Sequence, residues 1–287
     1  MSPLRARLLL VAAVVCAAPS ALGQQITGEP IEFLSNGARV RGHFLRGTGA
    51  APRPTLLLFH GYPGGMGDVL GIGRAVSAAG WNTLVYLPRG MHESDGVFTL
   101  ANTLDDFVPA LAHLRSRAAE LEVDTARLAA GGYSFGGWVA LMGAAEHPEL
   151  RCVATVGPAN QGLTARMMRS DPAYLAFIRG VVEPPMLDGR IRAPGWEAAQ
   201  AEMFDRMEDY DLRLQGESLR DRPVLVIGGW QDQGPTLDGY IVPLVRALRA
   251  AGNERITPIA VDDTHAFKRT RQQVQDAVVA WLEKECR

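Results

Sequence analysis

The chain has 287 residues, of which 47% are hydrophobic and 21% are charged, and its formal net charge is −2. This apolar content excludes a disordered or fibrous protein. A nearly balanced charge provides no electrostatic attraction to nucleic acid or to an anionic membrane surface, so we expect neither as a partner.

The first 23 residues have the composition of a secretory signal peptide. Two arginines precede the apolar run Leu8–Ala18, and Pro19 and Ser20 end that run. Such a run is too short to span a bilayer core of about 30 Å, and the small residues Ala21 and Gly23 suit a cleavage site. We therefore predict cleavage after Gly23 and export to the periplasm or the extracellular space. An uncleaved anchor or a buried helix is the alternative.

Cleavage at that point leaves two cysteines, Cys152 and Cys286. Two cysteines do not make the disulfide-rich scaffold of small secreted domains. Cys152 opens the apolar stretch Val153–Val156, so we expect it to be a buried small hydrophobic residue; a Cys152–Cys286 disulfide is the alternative. No group of cysteines and histidines has the spacing of metal ligands, and we expect neither a metal nor a cofactor.

Short apolar segments bounded by glycine and proline predict strands along the rest of the chain. The segments Ile31–Leu34 and Val40–Leu45 flank the turn residues Ser35–Gly37 and predict a β-hairpin. The later apolar runs suit strands that are buried on both faces of a sheet. These runs are Thr55–Phe59, Thr83–Leu87, Leu128–Gly131, Val153–Val156, Val224–Ile227 and Thr257–Val261.

Longer segments with helical character separate the predicted strands. This alternation predicts an α/β fold with a mostly parallel sheet covered by helices on both faces. One stretch, Gln161–Asp221, has no convincing strand, and we interpret it as helices and loops with breaks at Pro184-Pro185 and Pro194-Gly195. We therefore predict one core domain, formed by residues 24–160 and 222–287, with a helical insertion at 161–221. The predicted helices are Asp68–Ala79, Leu104–Glu120, Gly137–Glu146, Val242–Ala251 and Gln272–Glu285.

The sequence Gly132-Tyr133-Ser134-Phe135-Gly136 matches the pattern G-x-S-x-G between a predicted strand and a predicted helix. A serine at such a junction lies on a tight, strained turn that exposes its hydroxyl, and the glycines leave room for the turn. Backbone N–H groups at the start of the helix can stabilise developing negative charge. We predict that Ser134 is a catalytic nucleophile. The alternative is a glycine-rich turn with an incidental serine.

With this motif the chain resembles the α/β-hydrolases, and the similarity extends from about Pro30 to the end. The segment His60-Gly61-Tyr62-Pro63-Gly64-Gly65, here called the oxyanion loop, comes directly after the predicted strand Thr55–Phe59. It resembles the family's H-G-x-P loop. The resemblance implies an α/β-hydrolase fold with a lid insertion, and an oxyanion hole formed by the backbone N–H groups of Tyr62 and Phe135. Loss of one such donor typically costs about 3 kcal/mol of transition-state stabilisation.

A second loop resembles the family only in part. Leu87–Gly96 is similar to the pattern D-x-R-G-x-G-x-S, but Leu87 or Pro88 stands in place of the acid and His92 in place of a glycine. In the family this loop often lies near the pocket without taking part in the chemistry.

The serine needs a base, and the six histidines provide the candidates. His265 follows the last predicted strand and precedes a helix, which is where this fold places its base. His92 precedes the nucleophile in a potential pocket loop and is the second candidate. We expect His60 to brace the oxyanion loop. The remaining three lie in the hairpin or in predicted helices: His43, His113 and His147.

The acid is expected between nucleophile and base in the chain. Asp232 follows the strand Val224–Ile227 in a segment that resembles the family's G-x-x-D-x-x-x-P. Asp262 and Asp263 are rivals, but they are too close in sequence to His265 to reach behind its ring. We therefore predict a catalytic triad of Ser134, His265 and Asp232, in which Asp232 orients the imidazole.

The insertion contains five of the nine methionines and several aromatic residues. Flexible thioethers and aromatic rings can line an adaptable apolar pocket for an acyl group, or they can simply pack the insertion onto the core. These residues are Met167, Met168, Met186, Met203, Met207, Tyr174, Phe177, Trp196, Phe204 and Tyr210.

Three functions fit this sequence. The first is a secreted serine hydrolase that cleaves a carboxylic ester through an acyl-enzyme, and we predict this one. The second is a peptidase or aminopeptidase with the same machinery; such enzymes often have a propeller, for which the stretch before Thr55 is too short, or an acidic clamp for the peptide amine. The third is a non-catalytic binding protein, which a complete triad disfavours.

A serine at position 134 excludes dehalogenase and epoxide hydrolase chemistry, because both need a carboxylate nucleophile. The expected partner is a small-molecule ester or a peptide.

Overall fold

The computed structural model describes residues 28–65 and 67–286. The predicted signal peptide, residues 1–23, and its cleavage site lie outside the described residues. Within the described part, no helix is long and apolar enough to cross a membrane.

The strands of the described residues form one sheet. They are β1 (Glu29–Ser35), β2 (Ala38–Leu45), β3 (Arg53–Phe59), β4 (Asn82–Leu87), β5 (Val123–Tyr133), β6 (Leu150–Val156), β7 (Val224–Gly229) and β8 (Ile256–Val261). Their order across the sheet is β1-β2-β4-β3-β5-β6-β7-β8. β2 is antiparallel to both of its neighbours, and every other neighbouring pair is parallel. The sheet is therefore mostly parallel, as predicted.

The sheet is buried on both faces, as the uninterrupted apolar runs predicted. In β3, Leu57 and Phe59 pack into one hydrophobic core, whereas Leu56 and Leu58 pack into a second core. Successive side chains of a strand point to opposite faces, so a continuous apolar run fills both cores.

Helices cover both faces. They are α1 (Ile72–Ala78), α2 (Leu100–Asp105), α3 (Phe107–Ser116), α4 (Ala118–Leu121), α5 (Phe135–Glu146), α6 (Gln161–Ser170), α7 (Pro172–Leu187), α8 (Trp196–Asp205), α9 (Val242–Ala250) and α10 (Arg271–Glu285). The prediction of one helix over Leu104–Glu120 is wrong, because α2, α3 and α4 divide that stretch. Pro109 has no N–H to donate to the carbonyl of Asp105, and the chain changes from α2 to α3 at that point.

Residues 161–221, here called the insertion, form α6, α7, α8 and a short 3-10 helix at Leu212–Leu214. The predicted break at Pro184-Pro185 is wrong. Both prolines lie in the last turn of α7, and the N–H of Asp188 still donates to the carbonyl of Pro184 at 3.1 Å. An isolated bridge pairs Met91 with Ile191, so the loop after β4 contacts the insertion.

Cys152 is buried, as expected, and it forms a disulfide with Cys286, which was the alternative for this residue. Their Cα atoms are 5.8 Å apart, within the usual range for a disulfide. The bridge joins β6, in the middle of the sheet, to the residue that follows α10. The two cysteines are separated by 134 positions, and only the fold brings them together.

Candidate active site

Ser134 lies on the sharp turn between β5 and α5, with φ at +56°. A positive φ is strained for a residue other than glycine. The surrounding backbone maintains this conformation: the N–H of Ser134 donates to Val156 at 2.9 Å, and its carbonyl accepts from Ala159 at 3.0 Å. The predicted nucleophile therefore has the strained geometry that a nucleophile elbow requires.

Two glycines allow β3, β5 and α5 to meet at this turn. A Cβ atom on Gly132 would overlap the carbonyl oxygen of Gly136, and one on Gly136 would overlap the carbonyl oxygen of Phe59. Both obstacles are backbone atoms, which cannot rotate away. The two glycines of the G-x-S-x-G pattern are therefore a steric requirement of the turn.

His265 lies between Ser134 and Asp232. Its Nε2 is 2.9 Å from Ser134 Oγ, and its Nδ1 is 2.7 Å from Asp232 Oδ2. The Asp232 side chain is fully buried, and its other oxygen accepts from the N–H of Gly234 at 2.8 Å. A carboxylate only accepts hydrogen bonds, so we assign the imidazole hydrogen to Nδ1 and leave Nε2 to accept from the serine hydroxyl.

The loop that holds His265 is fixed at several points. The Tyr133 hydroxyl donates to the carbonyl of His265 at 2.9 Å. The buried carboxylate of Asp263 accepts from the backbone N–H groups of Thr264, Arg269 and Thr270. Burial tends to raise the pKa of Asp263, but these hydrogen bonds outweigh burial and lower the pKa below its ordinary value.

The two rivals for the acid have other partners. Asp263 fixes the loop as described, while exposed Asp262 accepts from the side chain of Gln231 at 2.8 Å. The Nδ1 atom of His265 forms its hydrogen bond with Asp232 and with neither rival. The structure thus brings together the three residues that the sequence predicted as a triad.

The two predicted oxyanion donors lie beside Ser134. Phe135 is the first residue of α5, so its N–H has no acceptor within the helix. The oxyanion loop packs against the elbow, since a Cβ on Gly61 would lie 3.1 Å from the Cβ of Ser134. The rings of Tyr62 and Phe135 approach edge to face, with centroids 6.2 Å apart.

Two histidines support the oxyanion loop. Nε2 of His60 is buried, the ring hydrogen-bonds to the Gly67 backbone, and burial lowers the pKa of His60 from 6.5 to about 4. Nε2 of His92 lies 3.0 Å from the carbonyl oxygen of Pro63. His92, the second candidate for the base, therefore contacts the oxyanion loop. The other three histidines lie elsewhere: His43 in β2, His113 in α3 and His147 after the last residue of α5, at the end away from the elbow.

Ser134 and His265 open into a cavity of about 720 Å³ between the core and the insertion. One part of its lining is an aromatic cluster of Tyr62, Phe98 and Phe135, whose ring centroids are 5.9 to 6.2 Å apart. The cavity is mainly apolar and is large enough for a small organic substrate.

The insertion contributes to the cavity, but not through all of the residues singled out in the sequence. Tyr174, Phe177, Met186 and Met203 line it. The others pack elsewhere, with four of them buried: Met168, Trp196, Met207 and Tyr210. Sequence reasoning missed the polar lining residues, which no motif or periodicity marks: Thr99, Gln161, Thr164, Glu202, Gln233 and Tyr240.

Among the described residues that line the cavity, Glu202 is the only Asp, Glu, Lys or Arg. Its carboxylate accepts from the N–H groups of Leu100 and Ala101 at 3.1 and 2.7 Å, and from the hydroxyl of Tyr210 at 2.9 Å. The first two donors open α2, where a negative charge is favourable. Glu202 is therefore engaged by the fold.

A family model described as serine aminopeptidase, S33, matches residues 50–215, which is more than half of the chain. The chain belongs to this family. It is a serine hydrolase with the α/β-hydrolase fold, as the sequence predicted. No curated protein matches it significantly in sequence. Among the described residues, no cluster of three or more histidine, cysteine or acidic side chains could hold a metal ion.

Solved structures of this α/β-hydrolase fold include esterases and a peptidase. Est1E from Butyrivibrio proteoclasticus is 17% identical, with 90% of this chain and 98% of that one covered at a TM-score of 0.67. The Pyrococcus furiosus esterase Pf2001 is 17% identical, with 91% and 92% covered at 0.66. The Pyrococcus horikoshii acylaminoacyl peptidase is 15% identical, with 90% and 42% covered at 0.68. These similarities show the shared fold.

Proposed function

We propose that this serine hydrolase cleaves carboxylic esters of small molecules through an acyl-enzyme on Ser134. The observation that carries the proposal is the hydrogen-bonded series Ser134, His265 and Asp232 at the base of an apolar cavity. Nucleophile, base and orienting carboxylate within hydrogen-bond reach are the geometry that acyl transfer needs.

In the first half of the reaction, His265 Nε2 takes the proton of Ser134 as Oγ attacks the ester carbonyl. The carbonyl oxygen becomes negative and accepts hydrogen bonds from the N–H groups of Tyr62 and Phe135. Buried Asp232 stabilises the imidazolium that forms. The carbon–oxygen bond to the alcohol then breaks, the alcohol leaves with the proton from His265, and the acyl group remains on Ser134.

The second half repeats these steps with water in place of the serine. His265 takes a proton from the water as its oxygen attacks the acyl carbonyl, and the same N–H groups hold the oxyanion. Ser134 leaves with the proton from His265, and the carboxylic acid is released. Thus one histidine acts as base and then as acid in each half.

The lining of the cavity favours esters over peptides with a free amine. An aminopeptidase needs an anion to bind the ammonium group of its substrate. Glu202 is the one candidate among the described lining residues, and its two oxygens already accept three hydrogen bonds. The described lining has no lysine or arginine either, so nothing there would attract a carboxylate or phosphate.

Two further parts of the proposal concern location and access. The Cys152–Cys286 disulfide supports export, because disulfides persist in oxidising compartments. Residues 161–221 are proposed to act as a lid, since α6, α7 and α8 all contribute residues to the cavity lining.

Turnover of p-nitrophenyl esters of graded chain length, measured beside aminoacyl anilides, tests the substrate class. We expect higher kcat/KM for the esters; faster cleavage of the anilides would assign a peptidase instead. A fluorophosphonate probe should label the wild type but not Ser134→Ala. Labelling that persists in the variant would place the nucleophile elsewhere, and a wild type that neither reacts nor turns over any substrate would be a binding protein.

A further inference from the structure

Three hydroxyl groups from separate elements meet on the cavity lining. The Tyr240 hydroxyl lies 3.0 Å from Thr164 Oγ1 and 2.6 Å from the Tyr174 hydroxyl. Thr164 belongs to α6, Tyr174 to α7, and Tyr240 to a single π-helical turn at Leu237–Ile241. All three residues line the cavity that contains Ser134. We call Thr164, Tyr174 and Tyr240 the hydroxyl cluster.

The hydroxyl cluster has one hydrogen that no hydrogen bond within the cluster uses. Three hydroxyls carry three hydrogens, and the two bonds within the cluster use two of them, whichever atom donates in each. The remaining contact of Tyr240 is with the sulfur of Met167 at 3.8 Å. A thioether is a weak acceptor, so a ligand oxygen would be the better partner for the third hydrogen.

The surroundings make such a donor costly unless a ligand uses it. Tyr240 is buried, and burial raises its pKa, which keeps the hydroxyl protonated. Neighbouring lining residues from α7 are apolar, among them Ile178, Val181 and Met186. A hydrogen-bond donor in an apolar environment discriminates strongly between ligands with and without an acceptor, because the unpaired group loses its water.

We infer that the hydroxyl cluster is a specificity subsite for a hydrogen-bond acceptor in the substrate, remote from the scissile ester. This inference rests on the proposed ester hydrolysis and narrows its substrate class. The preferred substrates are apolar esters that carry an ether, keto or hydroxyl oxygen. The acceptor belongs to the acyl part or to the alcohol part, and the two arms of the test distinguish these sources.

The acyl arm compares p-nitrophenyl octanoate with three ethers of equal length: the 4-propoxybutanoate, 5-ethoxypentanoate and 6-methoxyhexanoate. The alcohol arm compares hexyl butanoate with 2-propoxyethyl butanoate. In each pair one oxygen replaces one methylene, so size is constant. The quantity measured is the ratio of kcat/KM for the ether to kcat/KM for the alkyl ester.

Two variants remove the cluster. Tyr174→Phe/Tyr240→Phe leaves the Thr164 hydroxyl free to bond to a carbonyl of its own helix. Thr164→Val/Tyr240→Phe tests the same idea if the first variant folds poorly. Tyr86→Phe is the matched control, because Tyr86 is a buried tyrosine in β4 that does not line the cavity.

In the cluster variants we expect this ratio to fall about five- to tenfold for at least one ether, which is the value of one hydrogen bond. In the Tyr86→Phe control we expect the ratio to stay unchanged for every ether. The arm in which this occurs identifies the source of the acceptor. Unchanged ratios in both arms and both variants would overturn the inference.

Binding measurements on an inactive variant distinguish a failure of this inference from a failure of the proposed function. Dissociation constants of the same esters are measured on Ser134→Ala, with and without the cluster substitutions. If the wild type hydrolyses no ester, the proposed function is wrong, and the ratio of dissociation constants alone decides the subsite. If the wild type hydrolyses esters but the cluster substitutions change no ratio, the proposed function stands and the inferred subsite is wrong.

Discussion

The hydroxyl of Tyr62 donates a hydrogen bond to the carbonyl of Val182, 2.7 Å away, and thereby ties the oxyanion loop to α7 of the insertion. Tyr62 thus has two separate contacts with the cavity. Its backbone N–H is a proposed oxyanion donor, while its side chain holds α7, which lines the cavity. Burial raises the pKa of this hydroxyl, so it remains a donor.

Tyr62→Phe separates these two contributions, because it removes the hydroxyl and keeps the backbone. We expect KM to rise by about fivefold, the value of one hydrogen bond, with kcat changed less than about twofold. Amide hydrogen exchange within α7 should become faster. Tyr86→Phe is the control. A large fall in kcat without a change in KM would show that the hydroxyl acts on the oxyanion site instead.

Asp232→Asn tests the proposed acid. The amide keeps the shape of the side chain but presents a donor where His265 Nδ1–H needs an acceptor, so the imidazole takes the wrong tautomer. We expect kcat to fall by on the order of 10⁴. The measurement is steady-state turnover of a p-nitrophenyl ester, with folding checked by circular dichroism.

Asp262→Asn is the control for that variant, because Asp262 is exposed and contacts Gln231. Its cost should stay below about tenfold, since a surface substitution rarely disturbs a site by more than that. Asp263→Asn should reduce stability instead, because its carboxylate anchors the loop from Thr264 to Thr270. Greater loss of kcat in Asp262→Asn than in Asp232→Asn would mean that the acid is misassigned.

The lowered pKa of His60 predicts that the free energy of unfolding depends on pH. Its pKa is about 4 in the folded chain, against 6.5 ordinarily. Below pH 6.5 the unfolded state therefore binds a proton that the folded state does not, and stability falls as the pH drops from 6.5 to 4. We expect His60 to account for roughly 3 kcal/mol of the loss between pH 7 and pH 4.

Urea unfolding at several pH values compares the wild type with His60→Gln, which cannot be protonated. The wild type should lose more of its free energy of unfolding over this interval than the variant does. Equal losses would mean that His60 is not buried in its neutral form.

Gly136→Ala tests the close contact between β3 and α5. A Cβ there would overlap the carbonyl oxygen of Phe59, so we expect a loss of stability on the order of 4 kcal/mol, together with loss of turnover. Gly180→Ala is the matched substitution in α7, where a Cβ meets nothing within 4 Å. It should stabilise by roughly 0.5–1 kcal/mol. Thermal unfolding of both variants gives the comparison, and equal melting temperatures would contradict the packing described.

The position of the three proposed catalytic residues could be predicted because each follows a strand. Ser134 comes directly after β5, Asp232 shortly after β7 and His265 shortly after β8. The carboxyl ends of parallel strands lie at one edge of the sheet, where ligands bind in α/β folds. Local patterns of apolar runs and glycines therefore predict that these three loops meet at one edge, while the role of each residue followed from the resemblance to the α/β-hydrolases.

The hydroxyl cluster could not be predicted in this way. Thr164 and Tyr240 are 76 positions apart, and neither lies in a motif or follows a strand directly. Their contact depends on how the insertion packs over the core, which no local pattern encodes. The stretch Leu104–Glu120 has the apolar content of one helix, but Pro109 lacks the N–H that a continuous helix needs at that position, and the stretch is divided.

The Cys152–Cys286 bridge closes a covalent ring that contains the whole insertion together with Asp232 and His265, while Ser134 lies outside that ring. The turn that follows α7 is exposed from Leu187 to Arg190, which makes it accessible to a protease. A single cut there would place the nucleophile on one fragment and the acid and base on the other, with the disulfide still joining the two. Such a nicked enzyme would run as one species on a denaturing gel until a reducing agent separated it into two.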